Sequence, residues 1–443
     1  MNSNRLMFLC GLVVSLCFLS SAFGFYSNTG LEVKVSYEAD YLMSGPKPSE
    51  ADVIWELRQS AYYMSGPLQF NSPKAGPKFD HSVRIISIVQ GQNSWVAKYQ
   101  FTGTFIVENK NTQNLKLYVP RSIRQIYKQS LVPAALTKAG QNPCIQDSFE
   151  DHMNETYFWY FWNPNKKGCP LKAGIHYDII TPKIEVLNAM TVESYPEYSR
   201  LPNSNGDLEM LLVFGADKDA LGMKAPESNN DHNAGNFRNV LKNLKKQGFV
   251  NRRWTADDFQ FFCKTNSTTT QTIEELTRMD GNRQITIRML WGTSSVGKQS
   301  YPFHCLLNHA VANASVVIYN GHSGLGASVF LQQLKQDVNL PFYMNTNQYQ
   351  IFAFNGCSSY GYYNLDFFQE KKTASDPQGT KNLDVITNGI AGNFYDLGKM
   401  TMSVVDSVLD WSSEGERTSY QEIIRRMKTP YMTAVNGDED NSK

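Results

Sequence analysis

Two residues with the chemistry of a nucleophile and of its acid/base partner follow the same dipeptide. Val316-Val317-Ile318-Tyr319 runs into Asn320-Gly321-His322-Ser323-Gly324. Ile351-Phe352-Ala353-Phe354 runs into Asn355-Gly356-Cys357-Ser358-Ser359. A thiol of ordinary pKa, about 8.5, is mostly protonated at neutral pH. A neighbouring imidazole favours the thiolate and can return the proton to a leaving amine. The attacked carbonyl also needs backbone N–H donors for its growing negative charge. Gly321, Gly324 and Gly356 leave the backbone open enough to supply them. The amides of Gly324 and Cys357 are the expected oxyanion donors.

The cysteines single out Cys357 independently. Arg5 precedes an apolar run over residues 6–19 and small residues ending Ala22-Phe23-Gly24, the pattern of a cleaved signal peptide covering residues 1–24. Export, to a secreted or periplasmic location, permits disulfides. Cys10 and Cys17 leave with the signal, so five cysteines remain. Cys144 and Cys169 flank one aromatic-rich segment and are expected to pair, as are Cys263 and Cys305. Cys357 is then left over, and an odd thiol in an exported chain is a candidate reactive group.

Two rival motifs carry less. Gly292-Thr293-Ser294-Ser295-Val296-Gly297-Lys298 mimics a phosphate-binding loop, but Gln299 replaces the magnesium-binding hydroxyl and Pro302 interrupts the helix that should follow. His322-Ser323-Gly324 mimics the nucleophile elbow of α/β-hydrolases, but Leu325 stands where a second Gly belongs. The seven histidines are at 81, 152, 176, 232, 304, 309 and 322, so no base follows Ser323 in the expected chain order.

The elements that must position the pair divide the chain. Residues 25–200 read as a β-rich N-terminal domain, with strand character in 53–64, 82–89, 95–107 and 115–119, a helix over 121–136, and a strand over the aromatic run 157–162. Residues 195–207, rich in Pro, Asn and Gly, read as a linker. Beyond it, over 201–435, short apolar strands at 211–214, 285–291, 315–319, 351–354 and 383–387 alternate with helices at 236–248, 303–314, 329–338, 400–411 and 420–428. This alternation predicts an α/β domain with a mostly parallel sheet. A right-handed β-α-β crossover would place His322 and Cys357 side by side at one sheet edge, where such folds bind ligands. The acidic stretch 436–443 reads as a disordered tail.

Residues 208–430 resemble the clan CD cysteine peptidases, the group of caspases, gingipains, legumain, clostripain and separases. Those families share a strand ending in His-Gly and a following strand ending in Cys, and Cys357-Ser358-Ser359 is especially similar to separases and the related CHAT peptidases. Two positions depart from the pattern: Ser323 separates His322 from Gly324, and Tyr360 replaces the Gly that usually follows Cys-Ser-Ser. The resemblance implies an α/β caspase-like sandwich that cleaves peptide bonds with a His322/Cys357 dyad. It also implies that residues 387–394, with Asn388 and Gly389, line the pocket for the residue before the cut. Asp376, Asp384 and Asp396 are the acids available to a basic side chain there.

Composition narrows the partners. A net charge of +1 over 443 residues leaves no clustered basic excess for nucleic acid. No segment after the signal has the continuous apolar length of a stable membrane span. Asp231-His232-Asn233 has no further ligand at metal spacing, and Asp217 after the first strand of the second domain reads as a cap. No cofactor or metal is expected. Asn154, Asn266 and Asn313 stand in glycosylation sequons. The expected activity is therefore an exported cysteine endopeptidase acting on a peptide or protein substrate. Its alternatives are a non-catalytic binding or structural protein of the same fold and a serine esterase using Ser323.

Overall fold

The structure is a computed structural model and describes residues 24–131, 142–145, 155–187, 193–216, 225–228, 230–267, 269–294, 301–336 and 342–438. The signal before Gly24, Asp217, residues 295–300 of the phosphate-loop mimic, the Asn154 sequon and residues 439–443 lie outside these.

The N-terminal half runs β1 (Phe25–Ser27), β2 (Gly30–Met43), α1 (Glu50–Tyr63), α2 (Ser65–Phe70), β3 (Ala75–Pro77), β4 (Ser82–Gln90), β5 (Trp95–Glu108), β6 (Leu117–Pro120), α3 (Ile123–Ser130), α4 (Glu155–Phe161), β7 (Tyr177–Ile180) and β8 (Lys183–Val186). Strands β3, β5, β2 and β8 form an antiparallel sheet, with β4 also on β5, and β6 pairs with β7. The alternation of β2 and β5 sends Val33, Val35, Phe101 and Phe105 into a core closed by Val53, Leu57 and Ala61 of α1.

Two segments expected as strands are helices. Residues 53–64 belong to α1: Val53, Glu56, Leu57, Ser60 and Ala61 are its buried face, at helical spacing, and a Ser49/Asp52 capping box starts it. The aromatic run falls in α4, where Phe158 stacks on Trp162 one turn later with ring centroids 6.1 Å apart. Phe158, Tyr160, Phe161 and Trp162 are buried, while Tyr157 is exposed and Trp159 half-buried, so the helix buries most but not all of its rings.

The C-terminal half continues β9 (Leu208–Gly215), α5 (His232–Lys246), β10 (Val250–Arg253), α6 (Ala256–Cys263), β11 (Thr272–Asp280), β12 (Arg283–Gly292), α7 (Tyr301–Asn313), β13 (Val316–Asn320), α8 (Leu331–Gln336), β14 (Gln350–Phe354), α9 (Ser359–Tyr362), α10 (Asn364–Lys371), β15 (Leu383–Thr387), α11 (Leu397–Glu414), α12 (Tyr420–Met427) and β16 (Ala434–Asn436). One sheet in the order β1-β16-β15-β14-β13-β9-β12-β11-β10 spans it. Met210, Leu212, Phe214, Val316 and Ile318 face a core with α5, α11 and α12. The alternate residues Leu211, Val213, Val317 and Tyr319 face a second core with α6, α7 and α10. The architecture is thus α/β, with helices on both faces of a large mixed sheet.

The sheet is less parallel than expected. The run β15-β14-β13-β9-β12 is parallel, but β11 and β10 are added antiparallel on one side, and β16 and β1 on the other. Strand β1 also breaks the expected domain boundary: Phe25 pairs with Asn436 and is fully buried in the second half's core. The expected linker is packed rather than loose, because Tyr198 and Leu201 within it are buried and the Tyr198 hydroxyl donates to Thr418 O at 2.7 Å. Asn436 and Asp438, expected as disordered tail, are buried, Asn436 in β16 between β1 and β15. Among the described residues, no helix is long and apolar enough to cross a membrane.

Lys371, at the end of α10, is buried and donates to Asn345 O at 2.6 Å and Gln348 O at 2.7 Å. Burial, with the Arg200 charge second, lowers its pKa from 10.5 to about 7. Between those values the unfolded chain holds more protons than the folded one. Stability should therefore rise with pH from about 7 upward, by at most about 1.4 kcal/mol per pH unit. Lys371→Met should flatten this dependence in urea unfolding measured between about pH 7 and 9. An unchanged slope in the variant refutes the assignment.

Candidate active site

Strands β13 and β14 pair in parallel, with Tyr319 opposite Phe354. His322 and Cys357 each lie three positions beyond those partners, on loops leaving the same sheet edge. The repeated Asn has a structural reason: Asn355 Nδ2 donates to Asn320 Oδ1 at 2.8 Å, and Thr401 Oγ1 of α11 donates to the same oxygen at 3.0 Å. Both asparagines are buried, so the two strand ends are tied side chain to side chain before His322 and Cys357 emerge.

Ser323 joins the loops again. It is 4% exposed, and its hydroxyl donates to Cys357 O at 2.6 Å. Gly356 lies under this bridge: a Cβ there would stand 2.4 Å from Ser323 Oγ and 3.0 Å from Gly321 O, distances no side chain tolerates. The loop bearing His322 is further held by the Tyr319 hydroxyl, 2.7 Å from His322 O, and by the Tyr363 hydroxyl, 2.8 Å from Ser323 O. Ser323 thus acts as a brace between the two loops, its hydroxyl donating to a backbone carbonyl.

The His322 side chain is exposed and packs edge-on against Phe394, with ring centroids 4.9 Å apart. Cys357 is half-buried, and its sulfur donates to Gly392 O at 3.7 Å. Burial pushes the thiol up from its ordinary value; the Gly392 contact and the nearby Tyr160 hydroxyl oppose that rise. Of the expected oxyanion donors, the Cys357 amide faces its own sulfur. Gly324 is exposed, with φ +55, on the neighbouring loop.

Cys144 pairs with Cys169 and Cys263 with Cys305, with Cα atoms 4.6 and 5.9 Å apart. Among the described residues, Cys357 is the one cysteine outside a disulfide.

The segment after β15 packs against the site. Asn388 is fully buried, with Thr433 Oγ1 donating to its Oδ1 at 2.8 Å. Gly389 is buried against the N-terminal sheet, where a Cβ would lie 2.5 Å from Ile106 Cγ2. Asn388 Nδ2 also donates to Gly356 O, next to Cys357, at 3.4 Å, while Gly392 O meets the Cys357 sulfur and Phe394 packs on His322. Asp384 is buried and accepts from the Tyr420 hydroxyl at 2.6 Å. Asp376 is buried and accepts the amides of Gly379 at 2.9 Å and Lys381 at 3.1 Å. Asp396 differs: it is half-buried and accepts from the hydroxyl of Tyr431, a ring that faces Cys357.

Asp231 caps α5 by accepting from Asn233 N at 2.8 Å and Ala234 N at 3.2 Å. Among the described residues, no group of His, Cys, Asp or Glu could hold a metal ion. Comparison with protein-family models, curated proteins and solved structures finds no match for this chain.

Proposed function

We propose that this chain is an exported cysteine endopeptidase of clan CD type, acting through Cys357 and His322 on peptide or protein substrates. The observation that carries this reading is the equal offset of the two residues beyond register-paired positions of adjacent parallel strands. The closed Cys144–Cys169 and Cys263–Cys305 pairs support both the export and the choice of thiol.

In this reading His322 accepts the Cys357 proton as the sulfur attacks the scissile carbonyl. The amides of Gly324 and Cys357 donate to the developing oxyanion. The tetrahedral intermediate collapses to a thioester as His322 protonates the leaving amine. Water, deprotonated by the same imidazole, then releases the acid and restores the thiol.

Asp396 is the acid best placed for the substrate side chain before the cut, since it is half-buried while Asp376 and Asp384 are buried; it also accepts from the Tyr431 hydroxyl. A panel of fluorogenic peptides differing only at that position should be cleaved fastest after Arg or Lys. Asp396→Asn should lower that preference about tenfold, the scale of one charge-assisted hydrogen bond. Equal rates across the panel would remove Asp396 from selection, and a panel left uncut by wild type would count against the peptidase itself.

A second reading, a non-catalytic binding protein with the same fold, is favoured by one observation. The Cys357 sulfur contacts Gly392 O and faces Tyr160, and burial raises its pKa. A wild type that cleaves none of the panel, yet binds peptides from it, is what that reading expects.

A further inference from the structure

The wall over Cys357 comes from the other half of the chain. Cys357 and Ala391 pack against a cluster formed by Tyr118, Phe158, Tyr160, Phe161 and Trp162. Within it the Tyr160 hydroxyl is 2.7 Å from Ser358 Oγ, and both residues are buried. Ser358 adopts φ +48, a left-handed conformation that a non-glycine residue rarely takes. It therefore needs a partner that holds it there. Gln69 of α2 fixes α4 over the same loops: its Nε2 donates to Tyr160 O at 3.1 Å, and its Oε1 accepts from Ala391 N at 3.2 Å.

We propose that Tyr160 is a positioning residue of the thiol site, its hydroxyl holding Ser358 and facing the Cys357 sulfur from the N-terminal half. For its link to catalysis this rests on the peptidase reading; the contact itself does not. A hydroxyl beside the sulfur can donate to a thiolate and so favours that form. The nucleophile would then be competent only when the N-terminal half is docked, which gives that half a part in the chemistry.

The other titratable groups around the sulfur are the phenols of Tyr362 and Tyr431, and His322 on the adjoining loop. Of these, Tyr362 also interacts with Tyr160. The test is the rate of Cys357 alkylation by iodoacetamide as a function of pH, in the full oxidised chain. Tyr160→Phe should move the midpoint up by about one pH unit and slow labelling near neutrality about tenfold. Ser358→Ala retains the phenol and should leave the midpoint in place or lower it. Thermal melts of both variants should confirm that the fold is kept.

An unmoved midpoint in a folded Tyr160→Phe overturns the proposal. So does an equal rise in Ser358→Ala, because the effect would then belong to the loop and not to the hydroxyl. Alkylation needs no substrate, so these outcomes stand apart from those of the peptide panel.

Discussion

Cys357→Ala should lower peptide cleavage by at least about a thousandfold, because no second thiol remains to form the acyl intermediate. His322→Ala should lower it comparably, and the double variant should lose little more than either single one, as residues acting as a unit do. The substitutions should leave the melting temperature nearly unchanged. The strand ends are held by Asn320, Asn355 and Ser323, and none of these bonds uses the Cys357 or His322 side chain. The measurement is kcat/KM on the best peptide of the panel, with circular dichroism as the control for folding. Cleavage that survives in Cys357→Ala removes the thiol from the mechanism.

The largest expected effect on stability lies directly behind that loop. Glu32 of β2 is buried and accepts from the Tyr360 hydroxyl at 2.6 Å, while Lys78 Nζ stands 3.5 Å away. Lys78 also lies over the Tyr360 ring, 5.2 Å from its centre. Tyr360 thus anchors the Cys357 loop to a buried ion pair of the other half. Removing one member of such a pair leaves an uncompensated charge, which costs about 3–5 kcal/mol. Glu32→Leu should therefore destabilise the chain by that amount in urea unfolding. Adding Lys78→Met should recover much of it, because matched apolar replacement of a buried pair is often neutral. A loss below about 1 kcal/mol in the single variant would falsify the anchoring role.

Tyr360 occupies the position where the resembled peptidases carry Gly, so this departure has a function of its own here. The departure at Ser323 is similar: the intervening hydroxyl joins the two reactive loops.

Much of the second half was legible because its strands are short, apolar and fully buried. Leu383–Thr387 and Gln350–Phe354 stand within a residue of where their runs predict them. The antiparallel additions were harder to see. Thr272–Asp280 carries Glu274, Glu275 and Arg278, whose charges are met by neighbours such as Arg253 and Arg288, so polarity masked a strand. The turn at Asp280-Gly281-Asn282-Arg283 was a readable hairpin signal that periodicity alone passes over. Residues 53–64 misled because β-branched and aromatic content outweighed a visible helical spacing. Of the site, the twin Asn-Gly pattern was readable. Tyr160 was not, since it meets Ser358 from 198 residues away with no motif at either end.

The pairing of β1 with β16 sets an order of events during biosynthesis. Phe25 has its place on the sheet only opposite Asn436, a residue made long after it. Closing a loop that long is a late step for a polypeptide. Until β16 emerges, β1 has no partner strand, and the edge beside β15 stays open. The large sheet therefore closes late, however early β1 is made.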